Sequence, residues 1–184
     1  MPDVEFGYTP TTPAFAVVIA AQEVGWVKQT LAGADANAFI KEMRIYLDGS
    51  SGAQTQYVCV WRDSDDVLLA YGIPTVTAGQ GWKTVSRANI TLVNGGLTPN
   101  GVYRLGYHCV IGGGNGRNQY RDTSDVSISK ARFPYAGALP PDPSGAVTDN
   151  GPVWAIGVTV GLDGSGTTTQ NNPALSRNRR EHKR

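Results

Sequence analysis

Apolar and polar residues alternate with a period of two along most of this chain. Met43, Ile45 and Leu47 share one face of such a segment, and a later segment continues the alternation from Tyr103 to Ile111. Because successive side chains of a strand point to opposite faces, this period is typical of β-strands. Turn sequences rich in Gly, Asn and Asp recur at intervals of roughly 8–15 residues. The pattern predicts an all-β fold, an antiparallel, jelly-roll-like β-sandwich of about eight strands.

One predicted strand differs from the others because both of its faces are apolar. Tyr57, Cys59 and Trp61 alternate there with Val58 and Val60. A strand with apolar side chains on both faces is expected to be covered on both sides.

Composition divides the chain into three regions. Residues 1–37 contain prolines at positions 2, 10 and 13, and predict an irregular N-terminal arm that ends in a first short strand near Trp26. Residues 38–161 hold the dense strand signals and predict the β-sandwich domain. Residues 162–184 are polar and have almost no apolar side chains, so they cannot bury enough surface to fold alone. We expect them to form a C-terminal tail that extends from the sandwich.

Charge is low overall and concentrated at one end. Charged residues make up 17% of the chain, and the formal net charge is +1. The last eight residues hold five basic residues and one glutamate, hence a charge of +4, which leaves −3 on the rest because 1 − 4 = −3. A nearly neutral body with a basic tail gives no indication of a polyanionic partner for the body itself.

The residue types that common catalytic and metal sites require are scarce. The chain has two histidines, His108 and His182, and none of the motifs HExxH, CxxC or GxSxG. Asp63, Asp65 and Asp66 lie in a predicted turn, where aspartate is common, and a structural Ca²⁺ at this turn is the alternative. We therefore expect a protein that is not an enzyme and that binds no cofactor and no metal.

Two further features of the sequence bear on its location. Cys59 and Cys109 both fall in apolar strand segments and are expected to be buried free thiols, with a disulfide across the sandwich as the alternative.

No apolar run reaches the ~18 residues of a membrane span. The N-terminal sequence has no basic stretch ahead of an apolar one, so we expect no signal peptide and synthesis in the host cytoplasm.

Sugar binding would need an exposed aromatic face with polar neighbours. The candidate residues cluster around a glycine-rich loop: Tyr107, His108, Asn115, Arg117, Tyr120 and Arg121. In the alternative interpretation, Tyr107 packs in the core and Tyr120 covers a sheet edge. The four tryptophans, at positions 26, 61, 82 and 154, are expected in the core and not as sugar platforms.

Both ends of the chain are candidates for contacts with a partner. Phe6 and Tyr8 could add a strand to a neighbouring sheet. The basic residues of the tail are Arg177, Arg179, Arg180, Lys183 and Arg184. Arginine and lysine can neutralise phosphates, but no aromatic residues interleave with them, so we expect an acidic groove on a protein and not nucleic acid.

The order of several motifs resembles a known family. The motifs are IYLDG at residues 45–49, GW at 81–82, YRLGYH at 103–108 followed by a glycine loop, and Tyr120. Over residues 22–160 the chain is similar to a carbohydrate-binding-module-like β-sandwich of actinobacteriophage virion proteins, which occur as capsid decoration proteins and minor tail proteins. The resemblance implies a jelly-roll-like fold, no catalysis and a place on a virus particle.

The resemblance and the organisation of the chain lead to a functional hypothesis. A single module with two extended ends, and without a fibre or coiled-coil segment, fits a capsid decoration protein that binds the major capsid protein and stabilises the shell. We expect a homotrimer on the capsid surface, with no membrane partner. The alternative is a glycan-binding module of a tail or fibre protein that contacts the host surface.

Overall fold

The structure is a computed structural model, and it describes most of the sandwich. The described residues are 3–9, 15–18, 22–32, 39–50, 55–94, 96–98, 100–110, 118–122, 130–135, 137–141 and 153–161. For residues 15–18, 118–122, 130–134 and 153–154 the description covers the backbone.

Within these residues the chain forms thirteen strands and one short 3₁₀-helix. The strands are β1 (Val4–Tyr8), β2 (Phe15–Val18), β3 (Glu23–Thr30), β4 (Phe39–Asp48), β5 (Gln56–Arg62), β6 (Leu68–Gly72), β7 (Gln80–Ser86), β8 (Thr91–Leu92), β9 (Val102–Cys109), β10 (Asn118–Asp122), β11 (Lys130–Pro134), β12 (Val153–Trp154) and β13 (Ile156–Gly161). The 3₁₀-helix covers Arg87–Asn89. The prediction of an all-β fold is confirmed.

The strands form two antiparallel sheets. Sheet I places β1, β13, β4 and β7 side by side, and β2, β10 and β12 extend it beyond the end of β4. Sheet II has the order β11-β3-β9-β5-β6-β8. The inward faces of the two sheets pack together as a sandwich, as predicted.

Eight of the strands pair in a nested order. The two innermost in sequence, β5 and β6, pair with each other, and β4 pairs with β7 around them. Outside these, β3 pairs with β9 and β1 pairs with β13. The four pairs are therefore nested like those of one long hairpin. They alternate between the sheets: β5–β6 and β3–β9 belong to sheet II, whereas β4–β7 and β1–β13 belong to sheet I.

The main core lies between the sheets and uses the faces that the alternation predicted. Met43, Ile45 and Leu47 on β4 are fully buried, as are Tyr103 and its inward neighbours on β9. Val158 of β13 and Val60 of β5 also belong to this apolar cluster. Removal of apolar area from water is worth about 25 cal/mol per Å², so this layer is the main source of stability.

The N-terminal segment is part of the sandwich and not an arm. Val4–Tyr8 pairs with β13 along its whole length, and Glu23–Thr30 is an interior strand of sheet II. Phe6 is only 7% exposed and packs edge-on against Tyr103 with ring centroids 6.0 Å apart. The sandwich therefore begins at Val4 and not at residue 38. The prolines that suggested an irregular arm lie outside these two strands.

The two cysteines lie on opposite faces of sheet II. Cys59 is opposite Gly106 on the outer face, whereas Cys109 belongs to the core between the sheets. Both are free and buried, as predicted, and this placement excludes the alternative of a bridge between them. Burial raises the pKa of the Cys59 thiol well above its ordinary value, and a backbone hydrogen bond from His108 offsets only part of this effect.

Gly106 permits the close approach of β3 and β9 under two indole rings. A Cβ atom at this position would lie 2.1 Å from the carbonyl oxygen of Gly25 and 2.8 Å from atoms of Trp26 and Trp61. We expect Gly106→Ala to destabilise the fold by about 3 kcal/mol, because neither backbone nor indoles can move away cheaply. Urea denaturation of the two proteins measures this difference.

Gly96→Ala is the matched control for this prediction. A Cβ atom at Gly96 would meet nothing within 4 Å. Its free energy of unfolding should stay within about 0.5 kcal/mol of the wild-type value. Equal stabilities of the two variants would contradict the packing at Gly106.

Candidate functional site

The structure separates the residues that the sequence suggested as a glycan site. Tyr107 is fully buried between the sheets, and its hydroxyl donates a hydrogen bond of 2.5 Å to the Glu23 carboxylate. His108 is also fully buried, but on the outer face of sheet II. Packing of Tyr107 in the core, the alternative interpretation, is confirmed. Because neighbouring positions of a strand face opposite ways, Tyr107 and His108 cannot line one surface.

The other candidates of that cluster are not placed beside His108. Tyr120 and Arg121 lie on β10, which belongs to sheet I and not to sheet II. Asn115 and Arg117 lie outside the described residues, as do all five basic residues of the tail. Of the two N-terminal candidates for partner contacts, Phe6 is buried in the core of its own chain, and Tyr8 packs against the same core. Their segment β1 pairs with β13 and is the outermost strand of sheet I in the described part of the chain, so strand addition to a neighbour stays a prediction.

Sheet II carries a second apolar layer on its outer face. Val24, Trp26, Cys59, Trp61 and Leu68 are buried there, and Tyr57, Tyr71 and Tyr135 pack against them. We call the ring-bearing side chains of this sheet face, namely those of Trp26, Tyr57, Trp61, Tyr71 and His108, the outer aromatic face. The strand with two apolar faces that the sequence predicted is β5, and it is covered on both sides.

A short segment after β11 covers the outer aromatic face. We call Tyr135 and residues 137–141 the strap. Its first residue donates a backbone hydrogen bond of 2.6 Å to the Gln22 carbonyl, and the Trp61 indole N–H donates one of 2.7 Å to the Pro141 carbonyl. Pro140 is buried, whereas Leu139 next to it is 56% exposed.

His108 lies between the sheet and the strap. Its ring stacks on Tyr57 with centroids 5.9 Å apart, and it meets the ring of Tyr135 edge-on at 5.2 Å. Neither ring nitrogen makes a hydrogen bond of ordinary geometry within the described part of the chain, and the same is true of the Trp26 indole nitrogen. Buried polar atoms without partners are rare in native proteins and call for an explanation.

The surroundings of His108 keep its ring uncharged at neutral pH. Burial lowers the pKa of His108 from 6.5 to about 4, and a weak contact with the backbone of Tyr135 recovers only part of the shift. The charged form is disfavoured because burial removes the ring from solvent, and no acidic side chain contacts the ring among the described residues.

An ion-pair network closes one end of the outer aromatic face. The guanidinium of Arg104 lies 4.5 Å from the centre of the Trp26 ring. Its Nε is 2.7 Å from Asp63 Oδ1, and the other oxygen of that carboxylate is 2.7 Å from Lys28 Nζ. Arg104 also pairs with Asp66. Burial raises the pKa of Asp63, but the hydrogen bonds from Lys28 and Arg104 outweigh it, so the pKa lies below the ordinary 3.8.

The loop of Asp63, Asp65 and Asp66 is the one for which the sequence suggested a structural Ca²⁺ as the alternative. Its carboxylates form ion pairs with arginine and lysine side chains of the protein. Asp63 and Asp66 are bound by Arg104, and Asp65 is bound by Arg62 at 2.6 Å. Within the described residues no group of three or more His, Cys, Asp or Glu side chains is arranged to hold a metal ion.

A smaller aromatic group lies on the outer face of sheet I. Trp82 is half-buried and meets Tyr46 edge-on at 5.4 Å. The guanidinium of Arg44 lies 4.6 Å from the centre of the Trp82 ring, and it pairs with Glu5. The expectation that tryptophans are buried is confirmed for Trp26 and Trp61, whereas Trp82 lies outside the core.

Comparisons with known proteins give no assignment for this chain. Neither a protein-family model nor a curated protein sequence matches it. In the part of the chain that the structure describes, no helix has the length and apolar character needed to cross a membrane.

The ion-pair network predicts unequal roles for two aspartates of one loop. Asp63→Asn should destabilise the fold by about 1–3 kcal/mol at pH 7, because it leaves the partly buried Arg104 and Lys28 without their shared anion. Chemical denaturation at pH 7 measures the change. In the wild type, the stabilisation that ionised Asp63 provides is complete above pH 3.8, the ordinary pKa of the group. It is lost as pH falls through the lower pKa that Asp63 has in the folded state.

Asp65→Asn removes the same chemical group from an exposed pair in the same loop. Both side chains of the Arg62–Asp65 pair are about two-fifths exposed, so solvent screens their interaction. This control should leave the denaturation midpoint unchanged. A larger loss of stability for Asp65→Asn than for Asp63→Asn would contradict the assignment of the main stabilising role to Asp63.

Proposed function

We propose that this chain is a non-catalytic structural protein of a bacteriophage virion, namely a capsid decoration protein that binds the major capsid protein and stabilises the shell. The observation that carries the proposal is the nested pairing of eight strands across two sheets. This pairing supports a jelly-roll-like connectivity, and jelly rolls recur in viral capsid and lectin domains.

The architecture is compatible with both shell binding and glycan binding, because one fold hosts many functions. The choice between shell binding and glycan binding rests on the side chains available at the surface. Tyr107 and His108 were the central residues of the candidate glycan site, and both are fully buried. This burial favours the structural role over the glycan-binding module of a tail or fibre.

Attachment to the shell is assigned to the C-terminal tail in this proposal. Phe6 is engaged in the core of its own chain, so it is not free to bridge to a neighbour. The tail between Arg177 and Arg184 carries five basic residues and one glutamate, and it can bind an acidic groove on the major capsid protein. In a homotrimer three such tails would act together, so weak individual contacts would give firm binding.

Copy number on the particle tests the location. Quantitative mass spectrometry of purified virions of the phage that encodes this chain should find on the order of hundreds of copies per particle, because a closed shell repeats each contact by symmetry. A handful of copies would assign the protein to the tail and would overturn the proposal.

The role of the tail is tested by rebinding to particles from which the protein has been removed. Deletion of residues 163–184 should reduce occupancy of the shell at least about tenfold, since tethered contacts are lost together. Replacement of Arg177, Arg179, Arg180, Lys183 and Arg184 by Gln is the matched control for charge. It should weaken binding in the same direction, and added salt should weaken the wild type.

Full occupancy by the truncated protein would exclude the tail as the attachment element.

Glycan binding, the alternative function, is tested by a separate experiment. Binding of the full chain to a glycan array, with loss of binding in Tyr120→Ala, would replace shell binding by sugar recognition.

A further inference from the structure

We propose that the strap, Tyr135 with residues 137–141, is a cover that mild acid releases from the outer aromatic face, and that His108 is the group that triggers the release. The inference concerns regulation of a surface and does not depend on the virion proposal.

The strap is held to sheet II by few directional contacts. Its described residues make no strand pairing, in contrast to β11 immediately before it. Two hydrogen bonds of ordinary geometry hold its described residues, one from the Tyr135 amide to the Gln22 carbonyl and one from the Trp61 indole to the Pro141 carbonyl. A weak contact between the backbone of Tyr135 and the His108 ring is the third polar contact. A segment with few backbone hydrogen bonds to its neighbours belongs to the low-stability part of a structure and can open without global unfolding.

His108 lies at the contact between the strap and the sheet. The titratable groups around its ring are Tyr57 and Cys59 on β5, Tyr71 on β6 and Tyr135 on the strap. Burial raises the pKa of Tyr57 and that of Cys59, so neither group supplies an anion between pH 4 and 7.

The charged groups of the same sheet face lie towards its other end. Arg104 is four residues along β9 from His108 and is itself a cation, and Asp63 is occupied by Arg104 and Lys28. Among the described residues a proton on His108 would therefore have no counter-ion in the closed arrangement, and the backbone contact with Tyr135 offsets only part of the cost of burial. Because the strap covers this face, its release is the direct way to bring water to the charged ring.

The expected size of the effect follows from proton linkage. With a pKa of about 4 in the closed arrangement and the ordinary 6.5 when water reaches the ring, the ratio of open to closed molecules rises about twentyfold between pH 7 and pH 5. Opening would uncover Trp61, which is 0% exposed in the closed structure and donates its indole N–H to Pro141. Such a surface would become available to a partner in acid and not at neutral pH.

Hydrogen–deuterium exchange of the full chain at pH 7, 6 and 5 tests the proposal, after correction for the intrinsic pH dependence of amide exchange. Exchange of a peptide that contains residues 137–141, and of the Trp61 indole N–H followed by NMR, should rise about twentyfold from pH 7 to pH 5. The amides of β4 and β13 should keep their protection.

Two variants separate His108 from other titrating groups. His108→Phe keeps a ring between the two tyrosines but cannot take up a proton, so exchange of its strap should not depend on pH. His182→Phe changes the other histidine, which lies in the C-terminal tail, and should respond to acid as the wild type does.

The proposal is overturned if strap exchange in the wild type is independent of pH, if His108→Phe responds as the wild type does, or if all strands lose protection together. If circular dichroism shows that His108→Phe does not fold, an NMR titration of His108 in the wild type decides. Exposure of the Trp61 indole that follows the protonation of His108 supports the strap, and an unchanged indole during that protonation overturns it.

Discussion

The structure depends on a constraint in sheet II, where the central strands are covered on both faces. β5 and β9 contribute to the core on one side and to the outer aromatic face on the other. Two layers can pack on adjacent strands only where the backbone leaves room for the rings, and Gly106 supplies that room beneath Trp26 and Trp61. The nested hairpin then closes around this sheet, because β13 and β4 of sheet I complete the inner layer.

A sheet covered on both sides must find partners for the polar groups that it buries. At one end of the outer face the charged groups have partners, since Asp63 and Asp66 balance the charges of Arg104 and Lys28. In the core, the Tyr107 hydroxyl is bound by Glu23. His108 differs from both because its nitrogens make no hydrogen bond of ordinary geometry within the described residues and have only a weak contact with the backbone of Tyr135. This difference is the reason for assigning the trigger of the proposed release to His108.

The nested strand pairing and the proposed release of the strap by acid bear on different questions. The connectivity supports a role in which the protein presents a rigid body at a surface, and it does not require any pocket. The strap concerns what that body presents under different conditions. A decoration protein with a cover of this kind would expose more of its aromatic side chains in mild acid than at neutral pH. The two ideas can fail separately, because one is tested on particles and the other on the isolated chain.

Alternation with a period of two was sufficient to predict the all-β class, the inward faces of β4 and β9, and burial of the free thiols Cys59 and Cys109. It was sufficient because the period fixes which side chains share a face of a strand, whatever the partner strands are. It also revealed that β5 is apolar on both faces. The prolines near the N-terminus misled the interpretation of that segment, since they lie outside the strands and say nothing about the pairing of Val4–Tyr8.

Only the tertiary structure decided what covers each face. Pairing of β1 with β13 joins segments about 150 residues apart in sequence, and the Trp61–Pro141 hydrogen bond spans 80 positions. Such contacts result from packing over the whole molecule, and no local pattern encodes them. The grouping of Tyr107 with His108 as one site conflicts with the alternation itself, which puts neighbouring positions of a strand on opposite faces. Only the tertiary structure decided that the face of Tyr107 lies in the core and that the face of His108 lies against the strap.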